Sequence, residues 1–413
     1  MKINQFVLAN GLNIFLLPIY SATSVVAELM VRAGSKDEKE GNEGLAHFLE
    51  HLAFKGTKKW PTGEKFSQAL DKIGAVYNAY TDKENTAYWI KTAPEFLSFS
   101  LEALSQMWLA ALIKKEELEI ERGVIIEEIN MYNDHPREKV DDFFEEQIFG
   151  NNPLGRATIG KKKSILNLTR KDFLEFKKSF YRASNMSLVV AGKIQEIKKV
   201  KQEIKKFFAK GWQGEVNLTQ VKVWPEAKEF FWQKQKLEQT HFVLGVPTVK
   251  FTNKEKYPLK VLATVLGGST SSRLWQEIRE KRGLAYYILS FSQEYPSGGF
   301  LAIKAGVNNF KAKEAIEICR RELLKIAKDL KKKEIAVAKQ VLRGRFLISL
   351  EDPITPAELA NRNWLFAKRK LTPKKILAKI AAVDYQQVVA VARKFLKPEN
   401  IRLAAIGPKI CSS

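Results

Sequence analysis

Apolar residues recur along this chain with two periods, and the switches between them divide it into strands and helices. Phe6–Pro18 reads as a strand pair turned at Asn10-Gly11, and Ser24–Ala33 as a further strand. The period then changes. Leu45, Phe48, Leu49 and Leu52 stand at i, i+3, i+4 and i+7, one apolar stripe of a helix with Asn42 as its expected N-cap. A second helix is expected from Glu64 to Ile73, stopped by Gly74. AVYNAYTDKENTAYWIKTA then gives two strands about the polar turn Asp82–Asn85. Pro94 opens a long helix to Leu112, and another covers Lys115–Tyr132.

The polar stretch GWQGEVNLTQVKVWPEAK, residues 211–228, reads as a linker between an N-terminal domain, 1–210, and a C-terminal one, 229–413. Beyond it the order partly repeats. FVLGVP is a strand, Tyr257–Leu266 a helix, and SSRLWQEIREKRG a helix ending at Gly283. LAYYILSFSQ and GGFLAIKAGV are again strands. QALDKIGAVY in the first half has an echo in QEIREKRGLAY, so the pattern predicts an α+β fold of two similar domains, each a mainly antiparallel sheet covered by helices.

Composition narrows the setting. With 413 residues and 45% apolar content, two full cores are affordable. Cys319 and Cys411 are too few for a disulfide framework or a thiolate zinc site. No run reaches the roughly 18 apolar residues of a membrane span, and the start of the chain does not read as a signal peptide, so a cytoplasmic location is expected. The net charge of +23 is concentrated in KKVKQEIKKFFAKG, KIAKDLKKKEIAVAKQ and AKRKLTPKKILAK. Apolar residues at helical spacing separate these lysines, which makes them solvated helix faces and no nucleic-acid module.

The chemistry lies in GLAHFLEHLAFKGT. His47, Glu50 and His51 fall about half a turn from the apolar stripe, so one helix side is buried and the other presents two imidazoles and a carboxylate. Histidines at i and i+4 can grip one zinc ion, here in the inverted order H-x-x-E-H. Glu50 is placed to deprotonate a metal-bound water. A third ligand is needed, and EELEIERGVIIEEINMYND offers adjacent Glu127 and Glu128. Glu127 shares a polar side with Glu116 and Asn130, whereas Glu128 shares a face with Val124, Ile125, Met131 and Tyr132. A carboxylate on an apolar stripe is costly unless paired or metal-bound, so Glu128 is the expected ligand. Glu121 lies two turns earlier, about 10 Å along the axis, too far for the same shell but able to orient a ligand or touch substrate.

HFLEH followed by ERGVIIEE resembles the metallopeptidase family of pitrilysin, insulin-degrading enzyme and mitochondrial processing peptidase. That resemblance implies a zinc endopeptidase with one Zn2+ per chain, held by His47, His51 and Glu128. Glu50 would be the general base and Glu121 an accessory acid. It implies that Asn78 and Ala79, in VYNAYT, lie on an edge strand that binds the substrate backbone. It also implies that Arg279 and Tyr286, seven apart in REKRGLAY, contact substrate. Two two-domain halves close over a chamber in the family, so peptides or unfolded segments are the expected substrates. A homodimer, or a heterodimer with a related subunit, is the expected assembly. The rival is a non-catalytic subunit acting as a binding or scaffold partner.

Overall fold

The computed structural model describes residues 3–221 and 230–408. Its first sheet contains β1 (Asn4–Val7), β2 (Asn13–Pro18), β3 (Val25–Val31), β4 (Val76–Thr81), β5 (Thr86–Thr92) and β6 (Met186–Gly192). They lie in the order β1-β2-β6-β3-β5-β4, antiparallel except for β2 beside β6. The central strand β6 has no counterpart in the sequence reading. Its run MSLVVAG, apolar but for Ser187 and buried throughout, lacks the alternation that marks a half-buried strand.

The second sheet contains β7 (Phe230–Lys234), β8 (Gln239–Thr248), β9 (Ala285–Glu294), β10 (Gly299–Asn308) and β11 (Arg402–Gly407). Its order is β7-β11-β8-β10-β9, with β7 and β11 parallel. From their respective edges the sheets run β4-β5-β3-β6-β2 and β9-β10-β8-β11-β7, the same path through five strands. The α+β repeat expected from the sequence is therefore a repeat of topology.

On one face of the first sheet lie α1 (Leu45–Leu52), α2 (Gly63–Asp71), α3 (Leu97–Ala110) and α4 (Lys115–Asn133). Leu45, Phe48, Leu49 and Leu52 enter one buried cluster with Leu29, Val31, Ile90, Leu101 and Leu104, which fixes the orientation of α1.

The compact units are not two consecutive stretches. One comprises the chain to Asn130, Ala157–Thr219 and Ser349–Pro373; the other takes Met131–Arg156, Gln220–Ile348 and Lys374 onward. A single cut at residues 211–228 therefore misplaces two helices. On α5 (Pro136–Phe149), Val140, Phe144 and Ile148 pack with Val243, Phe300 and Ala404 of the second sheet. On the helix Ile354–Ala367, Ala357 and Ala360 pack with Phe15, Val26 and Val189 of the first. Apolar faces, not chain order, decide where each belongs. Residues 222–228 of the expected linker, and Cys411, lie outside the described residues. Among the described residues no helix is long and apolar enough to cross a membrane.

Candidate metal centre

The metal helix begins differently from its sequence expectation. Its N-cap is Gly44, at φ 94°, and a Cβ there would meet the Ile159 carbonyl oxygen at 2.6 Å. Only glycine tolerates both conditions. The helix start is held by a carboxylate from outside the motif: Glu38 accepts from the Gly44 N–H at 2.9 Å and from the Ala46 N–H at 2.8 Å. An anion there also meets the positive end of the helix dipole. Asn42, the expected cap, instead donates to Asp172 at 3.4 Å.

From α1 the two imidazoles project side by side, with ring centroids 4.7 Å apart. Glu128 Oε2, from α4, lies 3.8 Å from His47 Nε2 and 3.8 Å from His51 Nε2. Glu127 is exposed. The premise that singled out Glu128 needs correction, because Val124, Met131 and Tyr132 are exposed and form no buried stripe. Glu128 shares its helix side with buried Glu121 and Ile125, at i−7 and i−3. Glu121 reaches the site from the second layer. Its Oε1 accepts from His51 Nδ1 at 2.8 Å, while its other oxygen pairs with Lys55 Nζ at 2.5 Å. With the proton on Nδ1, the His51 Nε2 lone pair is turned toward Glu128.

Electrostatics set the protonation states. Burial, reinforced by the charge of His51, pushes His47 down to about 3 and keeps the ring a neutral donor. His51 is also opposed by burial, yet its bond to Glu121 and nearby carboxylates hold it above its usual value. Burial pushes Glu50 up to about 7, against the lowering effects of the Thr81 hydroxyl and His51. Thr81 Oγ1 donates to Glu50 Oε2 at 2.6 Å.

The donor set fits a zinc-like cation. His47, His51 and Glu128 offer ligand atoms within 4.8 Å of one another, the one such His/Cys/Asp/Glu group among the described residues. Glu128 Oε2 is buried with no hydrogen-bond partner, and both Nε2 atoms approach it beyond hydrogen-bond distance. Two imidazole nitrogens and one carboxylate oxygen gathered this closely, with no hydrogen bond among them, match a three-ligand zinc site with a position left for water once His51 has shed its Nε2 proton. Glu121 behind His51 is the outer partner such ligands commonly have.

Asn78 and Ala79 lie on β4, which among the described residues pairs only with β5 and so stands at the sheet edge. The Asp82 N–H to Asn85 oxygen bond of 2.8 Å sets the ladder alternation. By that alternation the main-chain groups of Ala79 and Thr81 face the free edge, and those of Asn78 face Trp89. The Ala79 N–H is taken by the side-chain oxygen of Asn78 at 2.8 Å. Arg279 and Tyr286 belong to the second unit, where Arg279 Nη1 donates to the Tyr286 carbonyl at 2.7 Å and its guanidinium lies 4.3 Å from the Trp275 ring centroid. Tyr286 is 72% exposed. The expected helix there is a short π-helical turn, Trp275–Glu280. Sequence reasoning passed over Lys55, Thr81 and Glu38. Lys55 sits at i+4 from His51, and Thr81 shares the strand side of Ala79 at i+2, so both carried a spacing signal. Glu38 carried none.

Two family models match this chain: insulinase (peptidase family M16) over residues 17–162, and the peptidase M16 inactive domain over 167–342. A Streptomyces coelicolor protein named an uncharacterized zinc protease is 32% identical, the match spanning 98% of this chain and 90% of that one. A Bacillus subtilis protein of the same description is 30% identical over 98% of both chains. Among solved structures, a protease from Helicobacter pylori superposes with a TM-score of 0.91 at 25% identity, covering 98% of this chain and 99% of the other. A peptidase M16 inactive domain from Pseudomonas fluorescens shares the fold, with a TM-score of 0.90 at 16% identity over the whole of both chains.

Proposed function

The chain belongs to the insulinase family of peptidases, M16, and on that premise we propose that it is a zinc-dependent endopeptidase acting on peptides or unfolded segments. The observation that carries the reading is the convergence of His47, His51 and Glu128 beside a carboxylate, Glu50, that is not one of the three donors. His47, His51 and Glu128 would hold the metal, with Glu121 and Lys55 fixing the ring of His51. When bound, zinc supplies Lewis acidity toward the scissile carbonyl and acidifies a water. Glu50 takes the proton of the attacking water and later hands it to the leaving amine. A base that burial has moved close to neutrality suits both transfers.

Substrate is expected to add as an extended strand along β4, since main-chain pairing at a sheet edge accepts many sequences. The Asn78 side chain would give up the Ala79 N–H to a substrate carbonyl. Arg279 and Tyr286 would contact substrate at the zinc site of a second copy, which makes the working form a homodimer. The reading is tested by stripping the purified protein with a chelator. Cleavage of an unstructured peptide should vanish with the metal and return on adding one equivalent of zinc. Cleavage that persists in metal-free protein would contradict it.

A further inference from the structure

Glu50 is called on to present one carboxylate oxygen to a water, and the helix alone does not decide which. A glutamate carboxylate turns freely about its last bond, so either oxygen of an unrestrained Glu50 can face the reaction. We infer that Thr81 is the positioning residue that removes this freedom: its hydroxyl pins Oε2 and leaves Oε1 as the oxygen that works. The inference rests on the reading of Glu50 as the base.

Four observations carry it. Thr81 Oγ1 lies 2.6 Å from Glu50 Oε2, a short bond of the kind a hydroxyl makes to a carboxylate. A hydroxyl has one hydrogen, and the alternative acceptor, Thr86 Oγ1, is 3.5 Å away. Thr86 cannot reverse that contact, because its own hydrogen is given to the Ala33 carbonyl at 3.0 Å. The Thr81 hydrogen is therefore committed to Glu50, which is 8% exposed. Finally, Thr81 is β-branched and sits at the end of β4, in register with Thr86, so backbone and rotamer are both stiff.

Only a donor at this position keeps Oε2 in the role of acceptor whether Glu50 is ionised or protonated. A proton taken from water is then deposited on Oε1, the side from which it must leave toward the amine. The same residue offers its main-chain groups to the free edge of β4. Thr81 thus joins the strand on which substrate would be laid to the base that would act on it.

The test compares Thr81→Val, which keeps the shape and removes the donor, with Thr81→Ser, which restores a donor. Thr81→Val should keep one zinc per chain and a KM within about twofold, and lose roughly 10- to 100-fold in kcat, the scale of a misplaced catalytic group. Thr81→Ser should recover kcat to within a few-fold. A Thr81→Val enzyme with wild-type kcat overturns the inference. So does a Thr81→Ser enzyme as slow as the valine variant, or loss of zinc from either, since both would mark a packing role. A readout independent of activity separates this from the peptidase reading itself. Crystal structures of the zinc-loaded wild type and Thr81→Val should differ in the orientation of the Glu50 carboxylate. An unchanged carboxylate sinks the role of Thr81 even if the protein cleaves peptides, and a rotated one upholds it even if no peptide is cleaved.

Discussion

Glu127 and Glu128 are neighbours in sequence and differ in every physical respect. Glu127 is solvated, whereas Glu128 buries an oxygen 3.8 Å from each imidazole. Glu128→Gln should cost zinc affinity, because it removes the one anionic donor of the three, and Glu127→Gln should leave both zinc content and rate unchanged. Elemental analysis of the two variants after gel filtration checks this, and the opposite pattern would mean that the ligand face of α4 has been misassigned. The donors were legible because helical period is a strong constraint: i and i+4 histidines opposite an apolar stripe have little freedom. Glu128 was reached through a stripe that is exposed at Val124 and Met131, so there the premise failed although the residue is one of the three donors. Lys55 and Thr81 act through contacts between elements that their spacing only hinted at, and Glu38 through one that no period in its segment encodes.

Two carboxylates decide how elements of the first unit are held. Glu38 caps α1 through two main-chain bonds, so Glu38→Ala should destabilise the protein by about 1–2 kcal/mol and loosen the helix that carries both histidines. Chemical denaturation of metal-free protein measures that loss. Glu28 on β3 is 1% exposed, accepts from Asn361 at 3.0 Å, and is pushed up to about 8 by burial and by the charge of Glu358. Its folded state therefore holds a proton that the unfolded chain releases near its ordinary value of 4.5. Stability from this group is present below that value and is lost as pH rises through about 8. Melting temperature should fall between pH 5 and pH 9, and Glu28→Gln, which keeps the Asn361 bond, should flatten that fall. An unchanged slope would mean that Glu28 is ionised in the folded protein. The sequence showed β1 to β5 and β8 to β10 through their turn residues and apolar runs, β3 among them although it is buried on both sides. It did not show β6, β7 or β11.

For the whole molecule, repeat order survived from sequence to structure, while the division into units did not. Strand patterns echo locally, but α5 and the helix Ile354–Ala367 each pack with the unit that chain order does not assign them. Assembly is tested by mixing Glu50→Gln with Arg279→Ala chains. If Arg279 serves the partner's zinc, half of randomly exchanged dimers are mixed and one of their two sites is intact, so activity should return to roughly a quarter of wild type. No recovery, with exchange confirmed by native mass, rules out the trans arrangement. The central claim, a zinc peptidase whose base is distinct from its ligands, is tested most directly by Glu50→Gln alone, with zinc and peptide cleavage measured on one sample. One zinc per chain with at least a ~100-fold loss of rate is the expected result. Retained activity, or zinc lost together with activity, would contradict it.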